Sequence, residues 1–142
     1  MDLENNRIAR LPEEFGQLEK PTNFFMPINQ LKELPKSFGN LQALKILALA
    51  QNEFAEFPIS ITNLTKLQAL DLASNGISFL PEEIGKLQKL EELYLQHNKI
   101  ETLPEGLFKL TKLKKLYLDG NPIKESDREK VKKTLINTEI TF

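Results

Sequence analysis

The sequence has no cysteine, no tryptophan and a single histidine, His97. Without cysteine there are no disulfides, no thiolate–zinc sites and no cysteine nucleophile, though compartment is left open. One histidine is a poor transition-metal donor set even with Asp71, Glu92 and Asp119 expected on its face, so neither metal nor cofactor is expected. No strong charge of one sign is present: 20 acidic residues stand against 19 basic ones. That balance argues against a broad electrostatic footprint for nucleic acid or an anionic membrane. There is no long apolar run, so no membrane-spanning helix is expected. The opening residues, "MDLENNRIARLPEE", are acidic and lack the apolar core of a signal peptide. They read as a native, mature or trimmed start, which leaves localisation between the cytoplasm and, given an upstream signal, secretion. Only six glycines occur, and Gly16, Gly39 and Gly85 share one repeating column rather than a phosphate-binding loop. No Ser/His/Asp constellation stands out. The paired acids Glu13–Glu14 and Glu82–Glu83 are neighbours on connecting arms, not carboxylates facing across a cleft. An enzyme is not expected.

What the chain does contain is a period. Asn6, Asn29, Asn52, Asn75, Asn98 and Asn121 follow one another at steps of 23 residues. Three places before each stands Leu3, Met26, Leu49, Leu72, Leu95 or Leu118. Five places before the last five stands Phe24, Leu47, Leu70, Leu93 or Leu116, and six after the first five comes Pro12, Pro35, Pro58, Pro81 or Pro104. A fixed period of this size marks stacked supersecondary units, none of which buries its own apolar face alone. In "LxLxxN" the alternation has period two, as in a short strand with one buried face. The asparagine is suited to satisfying turn backbone that would otherwise be buried unpaired, so a ladder of Asn side chains is expected. On the return arm "LPEEIGKLQKL", Ile84, Leu87 and Leu90 recur every three residues. That spacing suits 3₁₀ or irregular backbone better than an α-helix. Pro81 fits the first turn of such an arm, and Glu82 and Glu83 its positive end.

Residues 1–125 resemble the leucine-rich repeat, L-x-x-L-x-L-x-x-N-x-L continued as x-x-L-P-x-x-I-x-x-L. The 23-residue LP form resembles Ras-suppressor-like intracellular scaffolds and, with its ending "LYLDGNPIKESDREKVKKTLINTEITF", most of all the leptospiral leucine-rich repeat proteins. The resemblance implies an α/β solenoid, a horseshoe with a parallel concave sheet and 3₁₀ or irregular convex arms. It implies a protein-binding role, and the leptospiral likeness adds a role at a host interface, such as adhesion or modulation of a host factor. Residues 126–142 are expected to close the array within the same single structural domain. Ser126 and Glu129 read as a capping box opening a helix to about Ile136, with Val131, Leu135 and Ile136 inward, before a last strand carrying Ile140 and Phe142.

At the other end Leu3, Ile8, Leu11 and Phe15 belong to an incomplete first copy whose outer side is expected to be bare. An open strand edge templates pairing. Two readings stand: self-association through this edge, as a self-assembling scaffold without an external ligand, or an upstream segment that covers it.

Function is expected between the core columns, on side chains that point to the concave face. These include Phe25, Ile46, Ala48 and Ala69, with Ile28 at the exit of the strand, which together form an apolar patch. Toward the C-terminus the columns turn polar and tyrosine-rich: Asp71, Glu92, Tyr94, Gln96, His97, Lys115, Tyr117 and Asp119. Such a face suits a protein or peptide ligand. Two structural readings compete. In "PTNFFMPINQ", Pro21 and Pro27 mark a distorted copy whose Phe residues fill gaps, and Tyr94 and Tyr117 simply stack on each other.

Overall fold

Leucines spaced by two in each copy put one side chain of every short strand into the interior, and that alternation organises the fold. A computed structural model describes residues 1–142. Six three-residue strands form one parallel sheet in chain order: β1 (Asn23–Phe25), β2 (Ile46–Ala48), β3 (Ala69–Asp71), β4 (Glu92–Tyr94), β5 (Lys115–Tyr117) and β6 (Glu139–Thr141). Register repeats the sequence columns. Phe24, Leu47, Leu70, Leu93, Leu116 and Ile140 lie side by side across the sheet. The middle residue of each of the first five strands is fully buried. Phe24 and Met26 replace the usual leucines without leaving the core. Phe24 meets Phe15 and Phe38 edge to face, with ring centroids at 5.2 and 5.7 Å. The large aromatic core residue of the second copy therefore joins the arms of the first and second copies in one aromatic stack.

A 3₁₀ turn precedes each of β1 to β5: Glu13–Gln17, Lys36–Asn40, Ile59–Asn63, Glu82–Lys86 and Glu105–Lys109. This is the backbone that the three-residue apolar spacing predicts. The prolines sit one place earlier than expected. Pro81 precedes its turn in extended geometry (φ −74°, ψ 154°; φ −73°, ψ 161° at the equivalent Pro12) and its carbonyl accepts the Ile84 N–H at 3.1 Å. The residue whose carbonyl closes the first i→i+3 bond flanks the turn rather than lying in it.

The asparagines tie each copy to the one before. Asn98 Oδ1 accepts the Ile77 N–H at 3.0 Å, while Nδ2 donates to Leu72 O at 3.0 Å and Leu95 O at 2.9 Å. Asn29, Asn52, Asn75 and Asn121 repeat the arrangement. Asn6 is exposed and bonds only the carbonyls of Leu3 and Glu4.

A second column is visible only in the backbone. The residue before each asparagine is left-handed: Asn5, Ile28, Gln51, Ser74 and His97 have φ of 54 to 58°, and Gly120 has φ 71°. These residues turn the chain off the sheet while keeping its lateral bonds, as in Gln51 N–H to Ala73 O at 2.9 Å. Asn, Ser and Gly tolerate that region; a β-branched residue does not. Ile28, at φ 58° and 38% exposed, is the costly member. Ile28→Asn is expected to raise stability by about 1 kcal/mol, read as a higher denaturant midpoint at unchanged slope. A lower midpoint would show that the isoleucine packs to an advantage.

The ends differ from expectation in detail. Leu3, Ile8, Leu11 and Phe15 pack inward against the core and stay half-exposed, and the first copy contributes only an isolated Asp2–Phe25 bridge to the sheet. Helix α1 spans Glu125–Thr134 with Lys124 before it and no side-chain cap, so the Ser126–Glu129 capping box does not form. Asp127 instead turns its carboxylate to the Leu103 N–H of the preceding copy, at 2.8 Å. Val131 and Leu135 are buried, but Ile136 is 76% exposed because the helix ends at Thr134 and Leu135 redirects the chain. Strand β6 then pairs with β5.

Candidate functional site

Strand pleating leaves two rows of side chains on the concave face, each strand supplying its first and third residues. One row is Asn23, Ile46, Ala69, Glu92, Lys115 and Glu139; the other is Phe25, Ala48, Asp71, Tyr94, Tyr117 and Thr141. Every strand from β1 to β5 has a buried centre between two half-buried flanks. Phe25, Ile46 and Tyr94 thus lie along one wall, as the alternation predicts. Ala50, Ala73, Gln96 and Asp119, two places before their asparagines, continue the face, and Ile28 and His97 lie at its turn edge. A Cβ built on Gly120 would come within 2.5 Å of His97 Nδ1, so the imidazole rests on that glycine.

The two halves of this face differ in whether their side chains already have partners. On β4 and β5, Lys115 Nζ lies 3.0 Å from Glu92 Oε1, and the Tyr94 hydroxyl donates to Glu92 Oε2 at 2.8 Å. The Tyr117 hydroxyl donates to Glu139 Oε1 at 2.6 Å, and Thr141 donates to Asp119. The two tyrosine rings meet edge to face at 5.3 Å. The hydrogen bond from Tyr94, then that from Lys115, holds the Glu92 carboxyl below its usual range. Desolvation, then the bond to Glu92, pushes the Tyr94 phenol up, and the bond to Glu139 does the same for Tyr117. This half is a closed polar network.

On β1 to β3 the side chains have no such network. Phe25 stands opposite Ala48, and Ile46 opposite Ala69. Asp71 follows Ala48 in its row. Its Oδ1 accepts the Ala73 N–H at 2.9 Å, and no basic side chain pairs with it. Burial pushes its carboxyl above the usual range, against the smaller opposing effect of the Ala73 bond. The folded protein therefore holds this proton more tightly than the unfolded chain does. The contribution of Asp71 to stability is greatest at low pH and is lost as pH rises from about 3.8 through the raised folded value. Relative to wild type, Asp71→Asn is expected to gain stability progressively across that window in denaturant titrations at stepped pH. A difference between the two that does not change with pH contradicts the assignment.

No three His, Cys, Asp or Glu side chains converge as a metal site would require. No helix is long and apolar enough to cross a membrane. The largest crevice lies off the sheet, on the arms, lined by Arg10, Glu33, Lys36 and Glu56 among others. Ile59 and Phe79, 55% and 53% exposed, also lie on the arms. The sequence columns hold charged or polar residues at their equivalents, which is the signal that marks them as exceptions.

The family model described as "Leucine rich repeat" matches residues 65–123. The chain folds as a leucine-rich repeat solenoid. No curated protein matches its sequence. Among solved structures, this repeat protein superposes on the PEPR1–AtPEP1 structure with a TM-score of 0.79 and 25% identity, over 99% of this chain and 20% of that one. The plant peptide hormone receptor RGFR1 in complex with RGF2 gives a TM-score of 0.66 and 27% identity, over 85% of this chain and 24% of that one. A leucine-rich repeat protein of Leptospira interrogans is 26% identical over 97% of this chain and 53% of that one, with a TM-score of 0.48. The repeat protein thus spans between about a fifth and about half of the length of these structures.

Proposed function

We propose that this repeat protein is a non-enzymatic interaction module that takes a protein or peptide on its concave sheet. The observation that carries the reading is the apolar surface of Phe25, Ile46, Ala48 and Ala69 on β1 to β3, at the edge of which a strained isoleucine is held in solvent. Fold stability favours neither a left-handed isoleucine nor its exposure, and strain of this kind is usually kept where a surface has work to do. Similarity to a peptide hormone receptor solved with its ligand supports the same class of partner.

Phe25→Ser tests it. In affinity capture followed by titration of the captured partner, the variant is expected to bind at least tenfold more weakly than wild type. Its melting temperature is expected to stay within a few degrees, because Phe25 is half-buried and outside the core. Unchanged binding refutes the reading. Collapse of the fold would instead make Phe25 a packing residue of a distorted copy.

A further inference from the structure

The concave face has a relief that the columns alone do not convey. Ala48 ends β2 and Ala50 follows it, while Ala69 opens β3 and Ala73 lies two places beyond Asp71 at its end. These small side chains make a floor. On one side Phe25 of β1 rises beside it, with Pro27 following; on the other stand Glu92 and Tyr94 of β4, with Gln96 following. The result is a trough two strands wide running along the strand direction. With strands about 4.8 Å apart, the β1 and β4 axes are about 14 Å apart, room for one polypeptide segment.

Two acceptors in this trough have capacity to spare. Asp71 rises from the alanine floor with Oδ1 held by the Ala73 N–H, and no cation of the chain reaches it. The one basic side chain nearby on the sheet, Lys115, is committed to Glu92. Gln96 Oε1, on the β4 side, is buried with no hydrogen-bond partner. Both are acceptors, Gln96 Oε1 with no partner and Asp71 with only one backbone N–H, and a buried unmet acceptor calls for a partner. We infer that the trough takes a polypeptide segment carrying an arginine or lysine beside an apolar side chain, the cation pairing with Asp71 and the apolar group seating against Phe25 and Ile46. The inference rests on the concave-face reading above and adds the chemistry of the partner. A cation supplies the charge that Asp71 lacks, in a partly desolvated place where such a pair is screened little. The raised carboxyl of Asp71 points the same way: an anion is kept at a solvation cost that the Ala73 N–H offsets only in part. An acidic segment is disfavoured by that same carboxylate and by Glu92.

A random peptide library displayed on phage, selected on the whole chain, tests this. Enriched sequences are expected to hold a basic residue within a few positions of an aromatic or large aliphatic one. Synthetic peptides made from them are expected to lose at least tenfold in affinity when that basic residue becomes citrulline or norleucine. They are expected to lose the same against Asp71→Asn, whose amide oxygen still accepts the Ala73 N–H and so preserves the turn. Charge loss on both sides together should cost little more than either alone. Peptides that bind competitively with each other and are lost with Phe25→Ser, but carry no basic preference and ignore Asp71→Asn, overturn the inference while leaving the concave-face reading intact. Failure to enrich any peptide sensitive to Phe25→Ser overturns both.

Discussion

Asn98→Ala is expected to cost about 3 kcal/mol of folding stability, a large share of what a domain of this size has to lose. The side chain bonds one N–H and two carbonyls of the preceding and own copies: Ile77 N–H, Leu72 O and Leu95 O. Alanine leaves the Ile77 N–H buried and unmet and removes one of two donors from each carbonyl, since Asn75 still reaches Leu72 O at 3.0 Å and Asn121 reaches Leu95 O at 2.8 Å; a buried unmet group costs far more than a surface hydrogen bond returns. Asn6→Ala is the control. Its amide is exposed and bonds only Leu3 O and Glu4 O, which solvent can serve, so about 0.5 kcal/mol or less is expected. Urea titrations of both variants make the comparison, and similar costs would show that the ladder is not the source of the stability. Because each copy touches only its neighbours, amide exchange in Asn98→Ala should rise first between residues 70 and 100 rather than uniformly.

The second large effect lies on the arms. Gly106→Ala is expected to cost about 3 kcal/mol, because an added Cβ would sit 2.1 Å from the Glu82 carbonyl oxygen, a backbone atom of the preceding arm. Nothing flexible can yield there, so the two arms must part. Parting them also strains the bonds by which the Glu82 carboxylate holds the Glu105 and Gly106 N–H groups, at 3.1 and 2.7 Å. Gly76→Ala adds the same methyl where the nearest atom is 3.3 Å away, and about 1 kcal/mol or less is expected. Thermal melts of the pair separate a steric cause from the general effect of replacing glycine. Equal shifts would mean that arm contact is looser than the geometry shows.

These two sites divide differently between what one can read from the chain and what one cannot. Asn98 is legible, because a residue repeated at every 23rd position beside a period-two leucine pattern has to serve a turn that every copy shares. Gly106 is not. Its column otherwise holds Glu14, Ser37, Ser60 and Glu83, and only the approach of one arm to the next shows that this copy tolerates no side chain. The same limit explains the C-terminal corrections. Ser126 and Glu129 have the spacing of a capping box, but spacing does not reveal that Asp127 is drawn to Leu103 across the copy boundary or that Leu135 ends the helix before Ile136 can turn inward.

The face that carries the proposed function shows the division most clearly. The sequence by itself determined the solenoid, its strands and register, its 3₁₀ arms, and which residues stand on the concave side. Those follow from periods of two, three and 23, and periodicity is a property of one chain read along its length. Only the tertiary structure decided that Tyr94, Glu92, Lys115, Tyr117 and Glu139 satisfy one another while Phe25, Ile46 and Asp71 do not, and that Ile28 is left-handed. Whether two polar side chains meet depends on their rotamers and on lateral distances between strands 23 residues apart, and no spacing along the chain encodes those.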